Sequence, residues 1–364
     1  MNYIGSKYSL LPFLDECISR VAGDYTQPTV LCDLFAGTGA VGKYFKKKGF
    51  QIIANDLQYY SYVLNRQYIA NHTILYFKGL EDIIPMIKNA MFDEMRAIIV
   101  CQYLDNLKPL KGFIYNQYCK GDHKDDEDYR LYFSNENGEK CDAIRTCIEQ
   151  WHSAQKITEE EYYFLLATLI ENIDKVANTA SVYGAFLKKL KKSALKTFTM
   201  NPAEMILNDQ NHAVFNGDDN KVIRNIHTDI LYLDPPYNQR QYSANYHILE
   251  TIARYDKPQI IGKTGMRNYK EQKSEYCIKR KVIEAFDDLI QHADAKYIFL
   301  SYNNEGLMSF DDIKKIMSKR GEYGFFEQRY NRFKADKESS IRHIKSNFTT
   351  EFVHYVKVNY KKKV

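Results

Sequence analysis

Thr29-Val30-Leu31-Cys32-Asp33-Leu34-Phe35-Ala36-Gly37-Thr38-Gly39-Ala40-Val41-Gly42 is the stretch that decides the fold. A short apolar run enters a glycine-rich turn, and helical spacing follows through about Lys48, which is the order of a buried strand, a tight turn and a helix. Gly49 ends that helix, because glycine accepts the backbone that closes a last turn. A second apolar run, Phe50-Gln51-Ile52-Ile53-Ala54-Asn55, stops at Asp56. Strand, helix and strand in so short a span make a βαβ unit, with parallel strands and an expected right-handed crossover.

Working outward, strand-like runs return at 212–215, 230–233, 297–301, 324–326 and 352–358, with helical segments at 245–255 and 277–292. The alternation predicts one doubly wound α/β sheet, a Rossmann-like layer of strands with helices on its faces. Between about 75 and 210 the periodicity turns helical, as at 159–175, and is broken by the acidic run Gly121-Asp122-His123-Lys124-Asp125-Asp126-Glu127-Asp128, read as a solvated loop. The expected division is a discontinuous catalytic domain, 1–74 and 211–364, interrupted by a largely helical domain at 75–210.

Composition narrows the class. The 364 residues are 45% apolar and 27% charged, which excludes disorder and leaves ample material for a core. No apolar run approaches the ~20 residues that span a bilayer, and the start, MNYIGSKYSL, lacks the blocks of a signal peptide, so a soluble cytoplasmic protein without membrane contact is expected. The seven cysteines, Cys17, Cys32, Cys101, Cys119, Cys141, Cys147 and Cys277, include no Cys-x-x-Cys pair. They read as reduced thiols, with neither a disulfide framework nor a metal site. A net charge of +5 leans only mildly towards polyanions. The 30 tyrosines and 20 phenylalanines offer stacking surfaces for bases, or reflect compositional drift.

In an open parallel sheet, ligands sit beyond the carboxyl ends of the strands. Gly37 and Gly39 lie there and let the backbone approach a ligand, as a Cβ would not. Asp56, ending the second strand, is placed to accept from two ribose hydroxyls. The spacing departs from the dinucleotide fingerprint, and Asp33 would sit where a pyrophosphate must lie. A cationic sulfonium with an amino-acid tail, as in S-adenosylmethionine, suits a carboxylate there better. The other reading of Asp33 is a helix-capping or turn acid.

Asp234-Pro235-Pro236-Tyr237 follows an apolar strand directly. Two prolines stiffen the turn and leave carbonyls without amide donors, so Asp234 and a neighbouring carbonyl form paired acceptors for an exocyclic amino group. Tyr237 can lie on the face of the ring that bears it.

These segments carry a resemblance. Asn2-Tyr3-Ile4-Gly5-Ser6-Lys7, Asp33-Leu34-Phe35-Ala36-Gly37-Thr38-Gly39, Phe215-Asn216-Gly217-Asp218 and Asp234-Pro235-Pro236-Tyr237 stand in the order seen in Dam-like adenine-N6 DNA methyltransferases. The chain resembles the alpha group, D12 class, of restriction-modification type over roughly 1–74 and 212–360. Tyr183-Gly184-Ala185-Phe186-Leu187-Lys188 and Ser301-Tyr302-Asn303-Asn304-Glu305-Gly306 look like the same group. The resemblance implies that Tyr3, Gly5 and Lys7 lie near the methionine part of S-adenosylmethionine, that Phe35, Gly37 and Gly39 line its pocket beside Asp33, and that Asp56 holds the ribose. Asp218, or Asp219 beside it, would accept from the cofactor adenine. Asp234, with Pro235 and Pro236 in the same turn, would bind the target amino group while also bordering the cofactor, and Tyr237 would stack on the base.

The implied activity is methyl transfer to adenine N6 in duplex DNA, after the base swings into the pocket. Lys188, Lys189, Lys191 and Lys192, with Arg240, Lys263, Arg267 and Lys270, are candidates for phosphate contact or plain solvated charge, and 75–210 is the expected reader of bases. A cognate restriction endonuclease is an expected partner. Two other readings stay open: methylation of RNA adenine or guanine, and a nucleic-acid-binding module that has lost catalysis.

Overall fold

The computed structural model describes residues 7–23, 29–124, 129–180, 182–185, 187–331 and 348–359. They fall into two compact units. A helical unit contains Val63–Leu207 and Ser243–Lys270; a sheet unit contains 7–62, Asn208–Tyr242 and the described part of 271–359.

The sheet has seven strands: β1 (Val30–Asp33), β2 (Gln51–Asn55), β3 (Ala213–Phe215), β4 (His227–Leu233), β5 (Asp294–Asn303), β6 (Gly321–Asn331) and β7 (Phe348–Val358). Their order is β3-β2-β1-β4-β5-β7-β6. β1 to β5 run parallel, and β7 runs antiparallel between β5 and β6. The α/β reading of the sequence therefore holds, as a mixed sheet of the doubly wound, Rossmann-like kind. The chain moves outward from β1 to β3 and then crosses back to lay β4 on the other side of β1. That reversal opens a crevice at the carboxyl ends of β1 and β4.

Strands covered on both faces read as unbroken apolar runs, and Leu31, Cys32, Ile230 and Leu231 are buried accordingly. The helix Val282–His292 lays Val282, Phe286, Leu289 and Ile290 into a core with Leu231, Leu233, Ile298 and Leu300. The helix Leu11–Ala22 buries Leu11, Leu14, Ile18 and Val21, a spacing of three and four residues that makes one apolar stripe. Each such side chain contributes roughly 1.5–3 kcal/mol of transfer free energy.

β6 and β7 are longer than their apolar runs at 324–326 and 352–358. β6 is an edge strand with much of its length exposed, so its composition hides its extent, whereas the backbone ladder to β7 does not depend on side chains.

In the helical unit, Ser134 caps the helix Asn135–Ser153 by accepting from the Asn137 N–H, and Thr158 with Glu161 forms a reciprocal capping box on Glu159–Lys175. The latter helix is apolar on nearly all sides because it is interior: every residue from Tyr162 to Ile170 is buried. This unit is wider than 75–210. The buried Arg145 guanidinium donates to the carbonyls of Ile252 and Ala253, the Tyr183 N–H to Asn245 and the Tyr118 hydroxyl to Gly265, which binds 243–270 to it. Among the described residues no helix is long and apolar enough to cross a membrane.

Candidate active site

Three loops at the carboxyl edge of the sheet build the site. The first is the glycine turn after β1. The Leu34 N–H donates to the Tyr232 carbonyl (3.2 Å) and the Ala36 N–H to that of Asn55 (2.9 Å), so the turn is tied to β4 and β2. Gly37 (φ 53°) and Gly39 (φ 76°) are left-handed, where a side chain costs roughly 1–2 kcal/mol. Asp56 accepts from the Gly37 N–H on Oδ2 and from the Gln58 N–H on Oδ1, both at 2.8 Å, which pins the loop after β2 to the same turn.

Asp33 closes β1 with 1% of its surface exposed. Burial first, and then the neighbouring Asp234 carboxylate, push its pKa up to about 8 against the pull of the Gly42 amide. Asp33 serves an amide in the first turn of the helix Ala40–Lys47, while its Oδ1 has no hydrogen-bond partner among the described residues.

The second loop follows β3. The buried Asn55 amide donates to Asp219 Oδ1 (2.8 Å) and to the Gly217 carbonyl (3.1 Å), and its Oδ1 accepts from the Gly217 N–H (3.1 Å). Asp218 is exposed and caps the short helix Asp219–Val222 through the Lys221 N–H (3.1 Å). Asp219 is the buried one, held well above the usual carboxylate range by burial and then by Asp56 and Asp218. Both line a cavity of about 380 Å³ with Leu57, Tyr276, Glu275 and Asp288. Tyr276 meets Phe35 edge to face at 5.0 Å and donates to Asn220 Oδ1 (2.9 Å). Lys281 also lines it, and an aromatic wall with many acceptors suits a ring bearing an amino group. Neither Leu57 nor Tyr276 stands out in the sequence; only position beside Asp56 and Phe35 marks them.

The third loop is the proline turn after β4. Lys7 Nζ lies 3.1 Å from Asp234 Oδ1 and 2.6 Å from Glu351 Oε1. Burial alone would lower the Lys7 pKa, but Asp234 and Glu351 outweigh it and hold the ammonium well above the ordinary lysine value. Burial lifts Asp234 to about 6, with Lys7 opposing. Pro235 is buried, and Tyr237 is half-buried against the core of the sheet unit. The Tyr237 carbonyl accepts from the Leu307 N–H at 3.0 Å, so the loop after β5 steadies the turn. Glu351 is invisible in the sequence because the apolar run of β7 begins one residue after it.

Residues 3–316 match the family described as D12 class N6 adenine-specific DNA methyltransferase. The chain belongs to that family. It is 50% identical to the Type II methyltransferase M.NlaIII of Neisseria lactamica, over 97% of this chain and 98% of the relative. It is 36% identical to the Type II methyltransferase M.FokI of Planomicrobium okeanokoites, over 98% of this chain but 52% of that longer protein. A third relative, the Type II methyltransferase M.CviAII of Paramecium bursaria Chlorella virus 1, is 34% identical over 92% of this chain and 93% of its own length.

For this adenine-specific DNA methyltransferase, the structure gathers Lys7, Asp33, Phe35, Gly37, Gly39, Asp56, Asp218, Asp234, Pro235, Pro236 and Tyr237 in the sheet unit. Tyr3 and Gly5 lie outside the described residues. Lys188, Lys189, Lys191 and Lys192 are exposed in the helical unit. The buried Asn178 pins their loop by donating to the Lys189 carbonyl (3.0 Å) and accepting from the Lys191 N–H (3.0 Å). Arg240, Lys263 and Lys270 are exposed as well. Arg267 differs: it is 8% exposed and forks onto Asp256 at 2.9 and 2.6 Å, so its guanidinium is turned inward.

Proposed function

We propose that the protein transfers a methyl group from S-adenosylmethionine to adenine N6 at a specific site in duplex DNA, with the donor at the Asp33 end of the crevice and the target amine at Asp234. The observation that carries this is the adjacency of β1 and β4, which brings a buried acid with an unused oxygen beside the acid of a stiff proline turn.

The residues fit the donor. Asp33 Oδ1 would meet positive charge on the donor's methionine end, beside Lys7 and the glycines. The acceptor-rich cavity lined by Asp218, Asp219 and Tyr276 suits the amino group of the donor's adenine, with Asp56 at the ribose. When bound, S-adenosylmethionine supplies an electrophilic methyl on its sulfonium.

The exocyclic nitrogen of adenine is a poor nucleophile because its lone pair is delocalised into the ring. Asp234 and the Pro235 carbonyl would accept its two protons, favouring a pyramidal nitrogen and stabilising the charge that develops on attack. Tyr237 would support the ring face, and the stiff turn fixes the line of approach. An adenine inside a duplex must leave the stack to reach them, which costs a few kcal/mol. The exposed Lys188, Lys189, Lys191, Lys192, Arg240, Lys263 and Lys270 would supply phosphate contacts, with the helical unit reading base edges. A cytoplasmic role beside a cognate restriction endonuclease fits this chemistry.

Incubation with tritiated S-adenosylmethionine and duplex DNA tests the reading: label is expected on adenine N6. Label only in an RNA substrate, or DNA bound without transfer, would overturn it.

A further inference from the structure

Glu351 presents a problem of physical chemistry that the known activity leaves unexplained. It sits on β7, the strand laid antiparallel beside β5, opposite Asn303 in register and 1% exposed. A buried carboxylate is costly unless paired and hydrogen-bonded on its remaining lone pairs. Its Oε1 accepts from Lys7, and its Oε2 has no hydrogen-bond partner among the described residues. A residue kept only for packing would be more stable as an apolar side chain.

The two distances from Lys7 say what the carboxylate does. The ammonium is nearer Glu351 (2.6 Å) than Asp234 (3.1 Å), so its short charge-assisted bond goes to the strand and not to the catalytic turn. Without Glu351, Lys7 and Asp234 would close into a simple pair. The ammonium would then compete with the target amine for the Asp234 oxygens and remove negative charge where positive charge must develop. With Glu351 present, two carboxylates share one ammonium.

We propose that Glu351 is a positioning residue for methyl transfer: by drawing Lys7 towards β7 it leaves the Asp234 oxygens oriented and open to the target amine. The groups around Asp234 come from several elements, namely Lys7, Glu351 on β7, Asp33 on β1, Tyr232 on β4 and Tyr237 in the turn itself. Of these, Glu351 raises the Asp234 pKa and Lys7 lowers it.

The inference rests on the role of Asp234 proposed above. Glu351→Gln keeps the size of the side chain and removes its charge. Turnover would be followed against pH at saturating S-adenosylmethionine, where the bound sulfonium keeps Asp33 ionised. The acidic limb is expected to move to lower pH in Glu351→Gln and to higher pH in Lys7→Met. Turnover of Glu351→Gln at its plateau should fall on the order of 10–100-fold, the usual effect of an outer residue that orients an active group, with KM for the donor little changed. Glu351→Asp, which keeps the charge, should recover part of the rate and most of the limb position; it also carries the test if the Gln variant does not fold, since an Asp limb displaced as far as that of Lys7→Met would refute the role. A Glu351→Gln limb that coincides with the unmodified protein, or a loss of rate tracking a loss of thermal stability alone, would overturn the inference. Asp234→Ala in the same assay separates the two ideas: normal turnover there defeats the reading of Asp234, whereas a dead Asp234→Ala beside a normal Glu351→Gln defeats only this one.

Discussion

Buried acids are handled in opposite ways at Asp142 in the helical unit and at Asp33 and Glu351 in the sheet unit. In the helical unit Asp142 is fully buried, and its Oδ1 accepts from the Ile114 N–H (2.9 Å) and the Tyr255 hydroxyl (2.6 Å). Its Oδ2 accepts from the N–H groups of Tyr115 (2.8 Å) and Gly112 (3.1 Å). Arg145 is served as completely, by two carbonyls, Glu149 and the Tyr162 hydroxyl. In the sheet unit Asp33 and Glu351 are each 1% exposed, yet each keeps an oxygen with no hydrogen-bond partner among the described residues. Leaving such a group unpaired costs ~1–3 kcal/mol, which a bound cation or amine can relieve. A buried acid with all its bonds made holds the chain; one with an oxygen left over keeps an acceptor for a further bond.

The largest effect that could break this contrast is on the reaction itself. Asp234→Ala should lower methyl transfer about 10³-fold, the scale of losing one preorganised group at a developing charge, while calorimetry finds donor binding largely retained. Near-normal turnover would remove Asp234 from the chemistry.

Changing Lys188, Lys189, Lys191 and Lys192 together to Ala should flatten the salt dependence of DNA binding by a slope of about 3.6 if all four meet phosphate, roughly 10² in affinity between about 50 and 200 mM salt. An unaltered slope takes that loop out of the DNA interface.

Asp142→Ala tests the architectural side. It strands several buried amides and should cost about 2–3 kcal/mol in urea unfolding. Hydrogen exchange should rise at 112–115 and stay unchanged along β1; an equal rise in both would mean that this acid does not act locally.

The smallest effect sharpens the assignment of Asp33. Its carboxyl titrates near pH 8 against an ordinary 3.8, so in the free protein its contribution to stability is full below about pH 4 and is lost as pH rises through about 8. A cationic donor prefers the ionised form, so its affinity should increase by up to ~10-fold per pH unit between about pH 6 and 8. Titration calorimetry across that range should show the slope, and Asp33→Asn should abolish it. A pH-independent affinity in the unmodified protein would mean that no cation sits on this acid.

Much of the sheet was legible because its signals are local. A buried strand, a glycine turn and a helix occupy contiguous residues, and Asp234-Pro235-Pro236-Tyr237 carries its stiffness and acceptors within four positions. Elsewhere the signal is not local. The stretch 243–270 follows the proline turn in sequence, but Arg145 and Tyr118 claim its carbonyls for the helical unit, and no periodicity announces a bond made by a distant arginine. Arg267 reads as a basic surface residue until Asp256 is found beside it.

From the residues alone came the order of strand, turn and helix, and the identity of the acids that end β1 and β4, because burial pattern and turn chemistry are written over short spans. Which acids share a cation was settled only in three dimensions. Lys7 and Glu351 are 344 positions apart, and they meet because β7 enters the sheet in reverse beside β5 and carries a carboxylate under the turn that follows β4. Hydrophobic periodicity fixes which face of an element is covered, but an ion pair depends on strand order and register, which no local pattern encodes.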